Sequence, residues 1–103
     1  KAIYIATKEA ANSPLNILKL CNNLLQQTYK IAIHGNINSL SDAAVANDMI
    51  YASAKGAIYN ILINISSLKK NDQKKFKDNI DYYFKQIDDL HLKIINHVDK
   101  ILL

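Results

Sequence analysis

Apolar residues recur at spacings of three and four along most of the chain, which is the periodicity of amphipathic helices. The 103 residues include only two glycines and one proline, and half of them are hydrophobic. We therefore predict an all-α fold, an antiparallel bundle of long helices that partner helices from elsewhere complete. No stretch reaches the roughly 18 uninterrupted apolar residues of a membrane span, so we expect no membrane contact.

Capping and breaking residues divide the pattern into four predicted segments. A helical piece covers residues 1–11 without an initial cap, as if the chain began inside an element. The stretch "NSPL" that follows is predicted to stop this piece and to start a second helix, with Ser13 as the cap and Pro14 in the first turn. The second helix continues to a polar loop near residue 34.

Two further helices are predicted after this loop. Ser39 or Ser41 is expected to cap a third helix that runs to about Leu68, and Asn71 or Asp72 a fourth that reaches nearly to the end of the chain. The fourth helix has a heptad-like apolar pattern with isoleucine at every seventh position. This series consists of Ile80, Ile87, Ile94 and Ile101.

On a helical wheel, the third helix has a charged side and an uncharged polar side. Small and amide residues fall within about 40° of one line, opposite Asp48, Lys55 and Lys69. They are Asp42, Ser53, Gly56, Asn60, Asn64 and Ser67. We expect this stripe to point inward, where buried amides need hydrogen-bond partners. Two interpretations remain open: hydrogen bonding between packed helices, or a polar cleft that receives a ligand.

The stretch "IAIHGNINSLSDAAVAN" at 31–47 carries more polar side chains than a turn between helices requires. His34 is a candidate proton carrier because its unperturbed pKa suits work near neutrality, although a loop histidine is often only solvated. Asp42 is a second candidate catalytic residue, close to the positive end of the third helix. The candidate substrate-binding residues are Asn36, Asn38, Ser41, Asn60 and Asn64.

Composition narrows the class of function only slightly. The net charge is +4, yet all thirteen basic residues are lysines, and arginine makes the commonest contact to base edges. We therefore expect no nucleic-acid partner. Cys21 is the single cysteine, which is consistent with a reducing cytoplasm. His91 and His97 are six residues apart, which is not the spacing of a metal pair on a helix, and we predict no metal site.

Three blocks of the sequence together resemble the cyclodeaminase/cyclohydrolase family of folate enzymes. They are "PLNI" at 14–17, "GNINSLSDAAVAN" at 35–47 and "GAIYNILIN" at 56–64. The order and spacing of the blocks match the C-terminal half of that family and cover roughly residues 1–70. The glycine-rich Gly-Gly-Gly-Ser segment of the family's first half, and a later segment with an Asp before Ala-Phe, do not occur here.

The resemblance implies an all-helical fold that works as a dimer or larger homo-oligomer in the cytoplasm. It implies a tetrahydrofolate derivative as substrate and no covalently bound cofactor. The reaction would be either release of ammonia from 5-formimidoyltetrahydrofolate or hydrolysis of 5,10-methenyltetrahydrofolate to the 10-formyl form. We expect the chain to be the C-terminal portion of such an enzyme, incomplete without its first half. The alternative is a helical-bundle module that self-associates and has no catalytic activity.

Overall fold

The computed structural model describes residues 1–103 and contains three long helices and no strand. Helix α1 spans Ala2–His34, α2 spans Ile37–Ile65 and α3 spans Lys70–Leu102. The all-α prediction is therefore confirmed, with three helices in place of the four predicted segments. None of the three is apolar enough over a sufficient length to cross a lipid bilayer.

Contacts between side chains define the direction of each helix. Tyr4 of α1 hydrogen-bonds Asp72 near the start of α3. Asn47 and Tyr51 of α2 instead contact His91 and Asp88 of α3 in reverse order. Helix α2 is thus antiparallel to α3, and α1 and α3 run in the same direction. The molecule measures 54 × 17 × 17 Å, so it is a single elongated layer of helices around a thin core.

The predicted break at 12–15 is wrong, because α1 passes through Pro14 without interruption. A proline inside a helix lacks one backbone donor and costs on the order of 3 kcal/mol. The carbonyl that loses its donor belongs to Ala10, which is exposed and can be hydrated. Pro14 itself is buried beside Leu15 and Leu18. Continuous burial of this face outweighs the lost hydrogen bond.

The predicted caps of the other two helices are also wrong. Asn36 caps α2, and its side-chain oxygen accepts a hydrogen bond from the Ser39 backbone N–H at 2.9 Å. Ser39 is therefore the third helical residue instead of the cap. Helix α3 begins after Lys69, which makes no side-chain cap hydrogen bond. In both cases the helix starts earlier than predicted, by a few residues.

The core follows the predicted apolar pattern of α3 most closely. Ile87 and Ile94 are fully buried and Ile80 is nearly so, whereas Ile101 is half exposed. After Ile94 the buried position passes to Val98, as expected where a heptad drifts on a straight helix. From α2 the core receives mainly small side chains, among them Ala43, Ala54 and Ala57. These alanines let α2 pack closely against its neighbours and give it few large anchors.

Candidate functional site

The polar loop between α1 and α2 is short, and its geometry accounts for part of its composition. The Gly35 N–H donates to the Ile31 carbonyl at 2.7 Å and so closes the last turn of α1. Asn36 then adopts an extended backbone and caps α2. These two residues are fully explained by the ends of the helices. His34, Asn38 and the residues that follow need a further explanation.

A shallow open depression of about 440 Å³ lies against this loop. It is lined by Gln27, Lys30, Ile31, His34, Gly35 and Ser39. Lys30 contributes a cation, and His34 contributes an imidazole that makes no hydrogen bond within the chain. The depression can accept an anionic or polar group, but it encloses nothing by itself.

The other predicted site residues fall into two separate groups along α2. Asn38, Ser41 and Asp42 are exposed in the first turns of the helix. Asn60 is exposed and Asn64 half-buried near its other end. Eighteen residues separate Asp42 from Asn60, which is about 27 Å along the helix axis. The structure therefore does not gather all the predicted residues around one compact pocket.

The prediction that the polar stripe of α2 points inward is wrong for this chain. Five of its six members are exposed, and a Cβ added to Gly56 would meet no atom within 4 Å. The face of α2 that contains this stripe, here called the outer face, also carries exposed apolar side chains. They are Val45 (58% exposed), Met49 (66%), Tyr59 (61%) and Ile63 (72%). Absence of charge was taken as a sign of burial, but the uncharged sector of α2 is wider than its buried sector.

The structure instead brings together four polar and aromatic residues where α2 packs on α3. We call Asn47, Tyr51, Asp88 and His91 the seam cluster. Asn47 is 1% exposed, and its Nδ2 donates to the His91 carbonyl at 3.2 Å. Its Oδ1 lies 3.1 Å from Nδ1 of the same histidine. Asn47 thus binds both the backbone and the ring of His91.

Tyr51 holds the other side of the seam cluster in place. Its ring stacks on the His91 imidazole with centroids 3.7 Å apart and planes 7° from parallel. The Tyr51 hydroxyl donates to Asp88 Oδ1 at 2.9 Å. Each of the four side chains therefore has at least one partner across the interface. The imidazole is fixed in both position and orientation.

Burial controls the protonation of this cluster. It lowers the pKa of His91 below its ordinary value, and the negative charges of Asp48 and Asp88 oppose this shift only in part. Burial also raises the pKa of Tyr51, and the hydrogen bond to Asp88 adds to the increase. At neutral pH the cluster therefore consists of a neutral imidazole, a neutral phenol and a carboxylate.

A cavity of about 260 Å³ lies beside the seam cluster and shares Asn47 with it. Its other polar lining residues are Asp48 and Asp99, and its apolar wall comes mainly from Ile94, Ile95 and Val98. This space can hold a small polar group or several waters.

The seam cluster was missed because the histidines were tested only against metal-ligand spacing. A weaker signal was present in the sequence. Asn47 and Tyr51 are four apart, and Asp88 and His91 are three apart, so each pair lies on one face of its helix. Pairing the two faces required the register of α2 on α3, which only the structure supplies.

Fold and geometry together describe an all-helical chain with a polar cluster between two helices and a second, uncovered polar face. The formiminotransferase-cyclodeaminase family matches residues 1–99 by its sequence model. The chain therefore belongs to that family, and the resemblance noted from the three sequence blocks is confirmed.

Two curated relatives show the extent of the similarity. A methenyltetrahydrofolate cyclohydrolase from Methylorubrum extorquens is 33% identical over 66 residues, or 64% of this chain and 32% of the relative. A formimidoyltransferase-cyclodeaminase from Gallus gallus is 36% identical over 76 residues, or 74% of this chain and 14% of the relative. The matched part is thus a third or less of either relative's length. No solved structure matches the chain.

Proposed function

We propose that the chain is the C-terminal portion of a folate one-carbon enzyme. Its reaction is either ammonia release from 5-formimidoyltetrahydrofolate or hydrolysis of 5,10-methenyltetrahydrofolate. The family match over residues 1–99 is the observation that carries this function. The names of the two relatives, one a cyclohydrolase and one a cyclodeaminase, support the pair of reactions without choosing between them.

In this proposal the outer face of α2 and the loop before it form one wall of the substrate cleft. The Asn38, Asn60 and Asn64 amides make no hydrogen bond within the chain, so they are free to orient a pterin or the one-carbon group. Because the two polar groups of α2 lie about 27 Å apart, they contact different parts of an elongated substrate. His34 and Asp42 lie at the loop end of this wall.

The opposite wall comes from protein outside these residues, either the first half of the enzyme or another copy in a cytoplasmic homo-oligomer. Exposed Val45, Met49, Tyr59 and Ile63 support this part of the proposal. Covering each large apolar side chain contributes roughly 1.5 to 3 kcal/mol.

The same apolar side chains also favour the second candidate function, a helical module that self-associates without chemistry. The two functions assign different roles to Asn60. In the enzyme it binds substrate, whereas in a module it only contributes to the contact between copies.

The test uses the protein at the length its gene encodes and compares Asn60→Ala with Asn79→Ala. Asn79 is exposed on α3, and its amide donates only to the Lys75 carbonyl one turn earlier, which makes it a matched control. Binding of 5-formyltetrahydrofolate, a stable folate, is measured by calorimetry, and subunit assembly by native mass spectrometry.

We expect Asn60→Ala to weaken folate binding about tenfold or more, as for loss of one hydrogen bond of 1.5 kcal/mol or more, with unchanged assembly. Asn79→Ala should bind like the wild type. Assays of methenyl-group hydrolysis and of ammonia release then identify the reaction. Absence of folate binding at millimolar ligand, together with looser assembly of Asn60→Ala, would favour the self-association module.

A further inference from the structure

The Asn47 amide determines which nitrogen of His91 carries the proton. Because Nδ2 of Asn47 donates to the His91 carbonyl at 3.2 Å, its Oδ1 is the atom that faces the imidazole. An amide oxygen is only an acceptor, so Nδ1 of His91 must be the donor across the 3.1 Å contact. Nε2 therefore carries the lone pair of the neutral ring and makes no hydrogen bond within the chain.

This arrangement has the properties of a positioned base. Its tautomer is fixed by Asn47, its orientation is fixed by stacking on Tyr51, and its free nitrogen is the basic one. General acid–base catalysis requires such a group within hydrogen-bond reach of the proton that it moves.

We propose that His91, through Nε2, is the residue that accepts and returns the proton in the folate reaction. This inference rests on the proposed function. In hydrolysis, water adds to the methenyl carbon, a C–O bond forms, and one water proton passes to Nε2; the C–N5 bond then breaks and N5 takes that proton. In deamination, N10 adds to the formimidoyl carbon and gives its proton to Nε2. The C–N bond to the departing nitrogen then breaks, and that nitrogen leaves as ammonia with the returned proton.

The cavity beside Asn47 gives the reacting group a place next to this base. Asp48 lines the cavity and lies on the exposed edge of α2. Ser41, a candidate substrate-binding residue, is seven residues earlier and thus on nearly the same side of the helix. A substrate that contacts Ser41 from the outer wall can therefore extend along this edge to the cavity.

Neither of the other histidines has these properties. His34 is exposed in the loop, and no hydrogen bond fixes its ring. His97 is half-buried on α3, and its ring likewise has no partner. The geometry therefore favours His91 over His34, the candidate proton carrier predicted from the sequence.

The charges around His91 define what a pH profile should show. Asp48 faces it from α2 and Asp88 lies on its own helix. Tyr51 covers one face of the ring, and Lys55 lies 5.8 Å from the Tyr51 centroid. Since burial lowers the pKa of His91, activity should be constant at neutral pH and should fall on the acid side as the ring becomes protonated.

The first test compares His91→Gln with His97→Gln in the protein at its encoded length. We expect His91→Gln to lower kcat by about 10²-fold or more with KM changed only a few-fold, and to remove the acid limb of the pH profile. The control should retain the rate and the profile of the wild type. A readout besides activity is the ring ¹⁵N spectrum, in which the His91 Nε2 signal should move when 5-formyltetrahydrofolate binds.

A second variant, Asn47→Asp, decides the matter if His91→Gln does not fold. The carboxylate still accepts from Nδ1–H but adds a negative charge beside the ring, which raises a histidine pKa by about one unit or more. The acid limb should move to higher pH by a similar amount. An unmoved limb would overturn the proposal.

The outcomes separate the two levels of inference. If the wild type neither binds nor converts a folate, the proposed function fails and the role of His91 fails with it. If the wild type is active but His91→Gln keeps its rate and pH profile, or if Nε2 does not respond to bound folate, only the role of His91 is overturned.

Discussion

The two glycines should respond in opposite directions to the same substitution. Gly35 joins α1 to α2 with a φ of −81°, an angle that alanine adopts without strain. Its restriction is steric. An added Cβ would lie 2.5 Å from the Ile31 carbonyl oxygen and 2.7 Å from the Ser39 Cβ.

Neither neighbour of Gly35 can retreat easily. The Ile31 carbonyl accepts the Gly35 N–H at 2.7 Å, and Ser39 is held by the hydrogen bond from its N–H to Asn36 at 2.9 Å. Overpacking of this kind costs about 1 to 3 kcal/mol. The smaller entropy of the unfolded alanine chain offsets about 0.4 to 1 kcal/mol. The steric cost is larger, so Gly35→Ala should destabilise the fold by about 1 to 2 kcal/mol.

Gly56 is the matched control because it lies inside α2 with open space around its Cα. Alanine at an exposed helical position is favoured over glycine by about 1 kcal/mol. Each kcal/mol corresponds to a shift in Tm of about 4 to 8 °C for a domain of this size. Thermal unfolding followed by circular dichroism should therefore show a lower Tm for Gly35→Ala and a higher Tm for Gly56→Ala. A Gly35→Ala variant as stable as the wild type would refute the steric argument.

Two further predictions concern the core and the end of the bundle. Ile87→Ala should lower the free energy of unfolding in urea by about 2 to 5 kcal/mol because Ile87 is fully buried, whereas Leu92→Ala, at a half-exposed position, should cost much less. The hydrogen bond from Tyr4 lowers the pKa of Asp72 below 3.8, so acid protonates this carboxyl more readily in the unfolded chain. Its contribution should be present above the unfolded pKa and lost as the pH falls through the folded pKa; Asp72→Asn should therefore lose less stability than the wild type between pH 6 and pH 3, and an equal loss would contradict this assignment.

The sequence was sufficient for the fold class and for the core of α3, because both depend on local periodicity. Ile80, Ile87 and Ile94 are buried as their spacing predicts. It was insufficient at Pro14, where the local cost of proline had to be weighed against burial along the whole of α1. Local rules describe only one side of such a balance.

The candidate site shows the same limit in another form. The wheel of α2 showed correctly which residues share a side, but it could not show which neighbour each side meets. Asn47 lies within the quoted polar stretch, yet its role depends on His91, 44 residues later. Contacts at such separation follow from helix register and from the lengths of both connections, which single-sequence patterns do not determine.

The distribution of charge supports placing the missing wall of the cleft at the outer face of α2. Helix α3 has seven lysines and six aspartates in 33 residues, whereas α2 has only Asp42, Asp48 and Lys55 in 29. A helix surface that remains in water is normally rich in charge, because burying unpaired charges is costly. The exposed side of α3 meets this description and the outer face of α2 does not. Protein that completes the bundle should therefore approach α2 from the side away from α1 and α3, where it can enclose the free amides of Asn60 and Asn64 with the substrate.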